Sequence, residues 1–328
     1  MVPQQLDTGN HAHSVALRVR CDPAWNVHSV TMKPAIDLFV ADLDGTLIRA
    51  DGTVSEEART ALNALLEGGI DVLVATGRSL AESKPILSQV AYRGLVIAAG
   101  GSMLCEYLTG HTLRRYVLDP DIAGEVSREL VSHGHRALLL KDTDVTGIDY
   151  VAVGPHPFDM ASSWWFSEHH SVIHSIDRIE EDPFPGETIR VGAIAPSRAL
   201  EQIAEELSSR LGARACLQHW PAVTECEATG SDTHLLEVFA PGVNKWTMVQ
   251  EYAHERGVPI SRIAAIGDGL NDVELIQGVG LGIAVANADA RVRDVADRMT
   301  SGAGGDGVVE AARAILEDRW TMDVLGYH

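Results

Sequence analysis

The chain has 328 residues, a formal net charge of −20 and a pI near 5.0. This length predicts about two domains, and the acidic charge argues against a nucleic-acid partner, whose phosphates it would repel. No apolar run approaches the ~20 residues of a membrane-spanning helix, so we expect a cytoplasmic protein without a membrane partner.

Two further features suggest no chemistry. The first 30 residues are polar, and residues 1–34 are predicted to form a mobile N-terminal extension. Four cysteines are scattered without a CxxC pair, which favours reduced thiols over a zinc site or a disulfide framework.

The first predicted strand ends in an acidic motif. The apolar run Ile36–Ala41 is typical of a central strand in a parallel sheet, and Asp42-Leu43-Asp44-Gly45-Thr46-Leu47 follows it. Side chains alternate along an extended chain, so Asp42 and Asp44 can face the same side. Their repulsion requires a cation or a shared proton. With a divalent metal, Asp42 can be ligand and nucleophile while Asp44 acts as general acid; the alternative is a surface turn.

A second strand delivers polar groups to the same edge. A capped helix, Ser55–Leu66, leads to the apolar run Ile70–Ala75, which ends in Thr76-Gly77-Arg78. A short crossover makes the two strands parallel, so their carboxyl ends should meet. A hydroxyl, a glycine backbone and a guanidinium favour an anion site, and the alternative is an ordinary helix N-cap. A third strand, Leu95–Ala99, runs into Gly100-Gly101.

The middle of the chain predicts a separate α+β module with an antiparallel sheet. Its irregular stretch, Gly154–Pro185, is long enough to indicate an inserted domain or a lid. The predicted elements are helices Ile122–His133 and Ser197–Leu211, and strands Arg136–Leu140, Ile148–Val153, Thr188–Ala195 and one or two within Ala215–Val223.

Alternation of strands and helices resumes near Leu235 and predicts a return to the parallel sheet. Strand Leu235–Phe239 precedes a helix that begins at Lys245, and strand Ile263–Ile266 ends in Gly267-Asp268-Gly269-Leu270-Asn271-Asp272. The remaining predicted elements are strand Leu281–Val285 and helices Val292–Ala296 and Gly307–Leu316. Another acidic cluster thus follows a strand.

The order of these motifs resembles the haloacid dehalogenase superfamily of phosphohydrolases, in its Cof-like branch with a C2B-type cap. The resemblance is carried by Asp-Leu-Asp-Gly-Thr-Leu, Ala-Thr-Gly-Arg, Gly-Asp-Gly-Leu-Asn-Asp and Ala-Asn-Ala-Asp followed by Gly-Gly-Asp-Gly-Val. It implies a Rossmann-like, doubly wound parallel α/β core, residues 35–118 and 231–328, with an inserted α+β cap, residues 119–230.

The resemblance also implies a chemistry for the acidic residues. Asp42 would attack phosphorus to form an aspartyl-phosphate, and Asp44 would protonate the leaving alcohol and then deprotonate water. Mg²⁺ would be held by Asp42, the backbone carbonyl of Asp44 and Asp268, a set of hard oxygen ligands that suits this metal.

The same resemblance assigns the phosphate contacts. Thr76, Gly77, Lys245 and Asn271 would contact the phosphate, and Asp272 would brace Lys245 or the metal shell. Taken alone, Lys245 would be interpreted as a solvated lysine at a helix start. The substrate would be a small phosphorylated metabolite, with sugar phosphates as the main expectation.

Two features of the cap and its hinge stay open. The family usually has Asn-Gly-Ala after its third strand, whereas this chain has Ala99-Gly100-Gly101, which affects contacts near the cap hinge. In the cap, Trp164-Trp165-Phe166 and His169-His170 either contact the leaving group or form the core of the cap.

Two other functions remain as alternatives. A phosphomutase or phosphotransferase would return the phosphoryl group of the same aspartyl-phosphate to a bound molecule. A non-catalytic phosphate-sensing protein would keep the fold but would have no need of both Asp42 and Asp44. The oligomeric state is not predicted.

Overall fold

The chain folds into alternating strands and helices around two sheets. The computed structural model describes residues 35–49, 51–221 and 233–320, so the predicted N-terminal extension lies outside the described residues. The described strands are β1 (Leu38–Ala41), β2 (Asp71–Ala75), β3 (Leu95–Ala98), β4 (Met103–Glu106), β5 (Thr112–Arg115), β6 (Ala137–Lys141), β7 (Tyr150–Val153), β8 (Ile173–Ile176), β9 (Thr188–Pro196), β10 (Cys216–Pro221), β11 (Thr233–Phe239), β12 (Ile263–Gly267), β13 (Leu281–Ala284) and β14 (Arg298–Met299).

The helices alternate with these strands. None of those described is long and apolar enough to cross a membrane. The α-helices are Glu56–Glu67, Leu80–Gln89, Pro120–Ser132, Thr143–Thr146, Met160–Glu168, Ser197–Leu211, Lys245–Arg256, Val273–Gly278, Ala290–Val295 and Gly305–Leu316.

The larger sheet has the predicted parallel core. Its strand order is β14-β13-β12-β1-β2-β3-β4-β5, with parallel pairing from β14 to β3. The central strand, β1, is buried over its whole length between β12 and β2, which explains its unbroken apolar sequence. The predicted α/β class is confirmed. Parallel pairing brings the carboxyl ends of β1, β2 and β12 to one edge.

An antiparallel hairpin that the sequence did not predict extends this sheet. β4 pairs antiparallel with β3, and β5 pairs antiparallel with β4. β5 has the sequence Thr-Leu-Arg-Arg and is only half-buried at three of its four positions. Such a short, charged edge strand lacks the apolar alternation from which strands are predicted.

The second sheet has the order β10-β11-β9-β6-β7-β8 and is antiparallel except for the β7–β8 pair. Its β6 strand shows the expected alternation, because Leu139 packs under the helices Pro120–Ser132 and Ser197–Leu211 whereas Leu138 and Leu140 face the other way. Leu138 therefore reaches a cavity between the two sheets.

Two predictions for this region are wrong. Strand β11, which we placed in the core segment beginning at residue 231, pairs antiparallel with β9 and β10 and so belongs to the second sheet. A short apolar strand does not reveal which sheet it joins. The stretch Gly154–Pro185, predicted as irregular, contains helix Met160–Glu168 and strand β8.

At Gly101, the chain that follows β3 closely approaches the start of the helix Lys245–Arg256. Its φ is +106°, and a Cβ at this position would lie 2.1 Å from the carbonyl oxygen of Asn244. Asn244 is the N-cap of helix Lys245–Arg256. The glycine after β3 therefore fixes where this helix begins.

We expect Gly101→Ala to lower the free energy of unfolding by at least about 3 kcal/mol, because backbone strain and collision add. Gly52 is a matched control, since its φ is +78° but a Cβ there would meet nothing within 4 Å. Gly52→Ala should cost only about 1 kcal/mol. Urea unfolding followed by circular dichroism measures both, and equal losses would contradict the close-approach argument.

Candidate active site

Four predicted site residues meet at the carboxyl edge of the larger sheet. Asp42 and Asp44 follow β1, Gly77 follows β2, and Asp268 follows β12. All four line a single cavity of about 600 Å³ that extends from this edge to the second sheet. Ligands of open α/β sheets bind in this position.

Lys245 joins two of the acidic residues. Its Nζ donates to Asp42 Oδ1 at 2.6 Å and to Asp272 Oδ1 at 2.7 Å, and its side chain has no exposed surface. Burial alone would lower the pKa of Lys245, but Asp272 and Asp42 more than offset it and raise that pKa. Lys245 is thus a permanently charged partner of buried carboxylates and not a solvated lysine.

Three carboxylates form an acid cluster, defined here as Asp42, Asp268 and Asp272. Their oxygens lie within 4.8 Å of one another. Burial, followed by the charges of the neighbouring acids, raises the pKa of Asp42 well above its usual range despite Lys245. Burial and Asp272 raise the pKa of Asp268 to about 6. With all three carboxylates ionised, the cluster would carry more negative charge than Lys245 balances, and the raised pKa values reflect this repulsion.

Asp268 is oriented by residues of the first motif. Thr46 Oγ1 donates to Asp268 Oδ1 at 2.8 Å. Gly45 has a φ of +75°, and a Cβ there would lie 2.1 Å from Asp268 Oδ2. A glycine is required here both by its conformation and by the closeness of the carboxylate.

Asp272 organises the loop after β12. While Oδ1 accepts from Lys245, Oδ2 accepts from the backbone N–H groups of Asp268 at 3.2 Å and Gly269 at 3.0 Å. Asn271, in the same loop, lines the cavity, and its Nδ2 would lie 3.4 Å from a Cβ placed on Gly77. The loop thus places an amide beside the end of β2.

Asp44 is held by Arg78, a partner that the sequence did not identify. Arg78 Nε donates to Asp44 Oδ2 at 2.8 Å, and Nη2 donates to Oδ1 at 2.6 Å. The guanidinium also donates to His169 Nε2 at 3.0 Å and stacks on Trp165 with a separation of 5.0 Å. One side chain therefore connects Asp44 with the helix Met160–Glu168 and the residue that follows it.

Thr76 is less exposed to the cavity than its predicted role suggests. Its side chain is buried, and its hydroxyl accepts from the backbone N–H of Arg78 at 3.1 Å. The N-cap of the following helix is Ser79 and not Thr76. Of the described residues, neither Thr76 nor Lys245 is among those that line the cavity, whereas Gly77 and Asn271 are.

The second sheet contributes a polar wall that sequence reasoning missed. Arg190 Nη1 lies 2.7 Å from Glu237 Oε1 and donates to the carbonyl oxygen of Gly77 at 2.7 Å. Glu82 Oε1 accepts from Tyr150 Oη at 2.8 Å. Burial raises the pKa of Glu237 to about 6, with Arg190 opposing the shift. Arg190 and Glu237 are charged residues within the otherwise apolar strands β9 and β11, and this pattern is the sequence signal from which the wall could have been predicted.

The aromatic residues of the cap differ in whether they reach the cavity, and their contact with a leaving group stays a prediction. Trp165 and Phe166 line the cavity, and Trp165 Nε1 donates to Glu82 Oε1 at 2.7 Å. His169 reaches Arg78, as described above. Trp164 and His170 are not among the described residues that line the cavity.

Known proteins resemble this chain in both sequence and fold. Over 285 residues the chain is 26% identical to 5-amino-6-(5-phospho-D-ribitylamino)uracil phosphatase YcsE of Bacillus subtilis, covering 85% of this chain and 95% of that protein. It is 27% identical over 279 residues to a phosphoglycolate phosphatase of Methanothermobacter thermautotrophicus, covering 85% and 98%.

A solved structure has the same fold. A haloacid dehalogenase-like hydrolase from Bacteroides thetaiotaomicron superposes with a TM-score of 0.69 at 22% identity, covering 85% of this chain and 99% of the other. The family model of the haloacid dehalogenase-like hydrolases matches residues 39–311. The resemblance inferred from the motifs is confirmed: this chain belongs to the haloacid dehalogenase-like hydrolase family.

Proposed function

We propose that this hydrolase is a Mg²⁺-dependent phosphatase of small phosphorylated metabolites, with sugar phosphates as the first class to test, and that it acts through an aspartyl-phosphate on Asp42. The observation that carries the proposal is the acid cluster at the end of the cavity, where Asp42 is buried, lines the cavity and is bonded to Lys245. The two curated relatives described above, both named as phosphatases, support this reaction class.

Two steps account for hydrolysis with the residues present. A carboxylate oxygen of Asp42 bonds to phosphorus while the bond from phosphorus to the ester oxygen breaks, and Asp44 gives that oxygen a proton. Water then attacks phosphorus, Asp44 takes a proton from it, and inorganic phosphate leaves as the carboxylate of Asp42 is restored. Arg78 orients Asp44 for both transfers through its two hydrogen bonds.

The donor set fits Mg²⁺. One ammonium faces three carboxylates, so two negative charges of the acid cluster have no counterion among the described residues. We propose that Asp42, Asp268 and the backbone carbonyl of Asp44 hold the ion, while Asp272 stays engaged with Lys245. When bound, the ion supplies positive charge that lets an anionic nucleophile approach an anionic phosphate.

The phosphate contacts are proposed from the same geometry. Gly77 and Asn271 line the same cavity as Asp42, which supports the proposal that they donate to phosphate oxygens. Lys245, at 2.6 Å from Asp42 Oδ1, contributes positive charge next to the attacking atom. Thr76 supports the turn that presents Gly77.

The first prediction concerns the nucleophile. Asp42→Asn should lower kcat by at least about three orders of magnitude, because an amide cannot act as an anionic nucleophile. Asp71→Asn, an exposed substitution at the start of β2, is the control and should leave phosphate release unchanged. Release of free phosphate, measured with and without Mg²⁺, also separates a phosphatase from a phosphomutase. Substantial turnover by Asp42→Asn would refute the proposed chemistry.

The second prediction concerns the metal and is read from thermal unfolding. Mg²⁺ should raise the melting temperature of the wild-type protein, with about 2.7 kcal/mol of stabilisation at a hundredfold excess over Kd. Asp268→Asn should abolish this shift and should melt no lower than wild type in EDTA, because it relieves repulsion in the acid cluster. Asp289→Asn, which alters a cavity residue outside the cluster, should retain the shift. An unchanged shift in Asp268→Asn would contradict the metal assignment.

The third prediction separates the role of Lys245 in catalysis from its role in packing. Lys245→Met should lower kcat/KM about a hundredfold for every phosphate ester, because the lost charge acts on the transferring group. Lys141, in strand β6 of the second sheet, is a matched control, since it is also fully buried and donates to Asp182 at 2.6 Å. Both variants should lose stability, but Lys141→Met should keep its activity per folded molecule. A loss confined to one ester would contradict the assignment.

A further inference from the structure

The end of the cavity at the second sheet has its own charged group. Two buried carboxylates, Glu82 and Glu237, face a single buried guanidinium, Arg190. Arg190 Nη1 lies 2.7 Å from Glu237 Oε1, and all three residues line the cavity. We call these residues the Glu82–Arg190–Glu237 cluster; with both carboxylates ionised it has one net negative charge.

Neither Arg190 nor Arg78, the half-buried guanidinium that reaches Asp44, is free to receive an anion. Arg190 also donates to the carbonyl oxygen of Gly77 at 2.7 Å and to Tyr150 Oη at 3.4 Å. Arg78 is committed to Asp44 through two hydrogen bonds. An acidic group beside this cluster would therefore meet two carboxylates while Arg190 and Arg78 are already engaged.

The two carboxylates differ in what they offer a ligand. Glu82 Oε1 accepts from Tyr150 and Trp165, and Glu82 Oε2 accepts from the backbone N–H of Ser79 at 2.8 Å. Glu237 is paired through Oε1, and no donor among the described residues is hydrogen-bonded to its Oε2. Oε2 of Glu237 can therefore accept a hydrogen bond from a ligand that carries O–H or N–H groups.

The rest of this end is apolar and wide enough for a ring. Side chains from β6, β9, β11 and the helix Met160–Glu168 complete it, namely Leu138, Ile194, Leu235, Ala161 and Phe166. The cavity volume of about 600 Å³ lies within the range of pockets that enclose ligands much larger than a two-carbon acid.

We propose that this end is a leaving-group subsite that selects uncharged, ring-sized alcohols bearing O–H or N–H donors, and that Glu237 excludes acidic leaving groups. The inference rests on the proposed phosphatase function and specifies its substrate class. Discrimination arises because an acidic leaving group would bring a second negative charge beside Glu237, whose pairing cation, Arg190, is already engaged.

A matched pair of esters tests the subsite. 4-(Hydroxymethyl)phenyl phosphate and 4-carboxyphenyl phosphate have the same ring and differ in the charge of one group. At pH 8, where Glu237 with a pKa of about 6 is ionised, wild type should favour the hydroxymethyl ester in kcat/KM by at least about tenfold. Glu237→Gln should bring the ratio towards one.

Two further variants keep the test decisive. Ile194→Lys adds a cation to the apolar side of the same subsite and should raise relative turnover of the carboxy ester, even if Glu237→Gln does not fold. Glu205→Gln, on the exposed face of helix Ser197–Leu211, should keep the wild-type ratio.

The possible failures are distinguishable. Phosphate release with the same ester ratio in wild type, Glu237→Gln and Ile194→Lys would overturn the subsite and leave the phosphatase function standing. Absence of phosphate release by wild type from both esters and from p-nitrophenyl phosphate, with Mg²⁺ present, would overturn the proposed function and the subsite with it.

Discussion

Repulsion among carboxylates at one sheet edge is the constraint on which this site depends. Asp42 and Asp272 are buried beside Asp268, in an environment that penalises each negative charge. Lys245 makes the arrangement tolerable because it contacts two of the three acids at once. In the proposed function, a divalent cation would balance the charge that Lys245 leaves unbalanced and would let a phosphate ester approach.

Residues far apart in the sequence maintain this balance. The position of Lys245 depends on a helix start that packs against Gly101, while Asp272 ties down the loop that carries Asp268. On the other side, Arg78 links Asp44 to His169. The geometry of the acidic groups is therefore coupled to the contact between the two sheets. The same contact forms the cavity wall that we propose to face the leaving group.

The sequence predicted which residues follow the central strands better than it predicted the surroundings of these residues. Long apolar runs made β1 and β12 easy to identify, and parallel pairing then places Asp42 and Asp268 together. The hairpin β4–β5 and the sheet to which β11 belongs depend on tertiary pairing that a single strand does not encode. The pairing of Arg78 with Asp44 and of Arg190 with Glu237 could not be predicted for the same reason, since each joins residues distant in sequence.

The most direct test of the account is chemical trapping of phosphorylated Asp42. Asp44→Asn lacks the group proposed to activate water, so the phosphorylated form should accumulate during turnover of p-nitrophenyl phosphate, whose leaving group needs little protonation. Borohydride reduces an aspartyl-phosphate to homoserine, which peptide mass spectrometry locates. The account predicts homoserine at position 42. Modification at another residue, or none while one equivalent of p-nitrophenol is released, would contradict it.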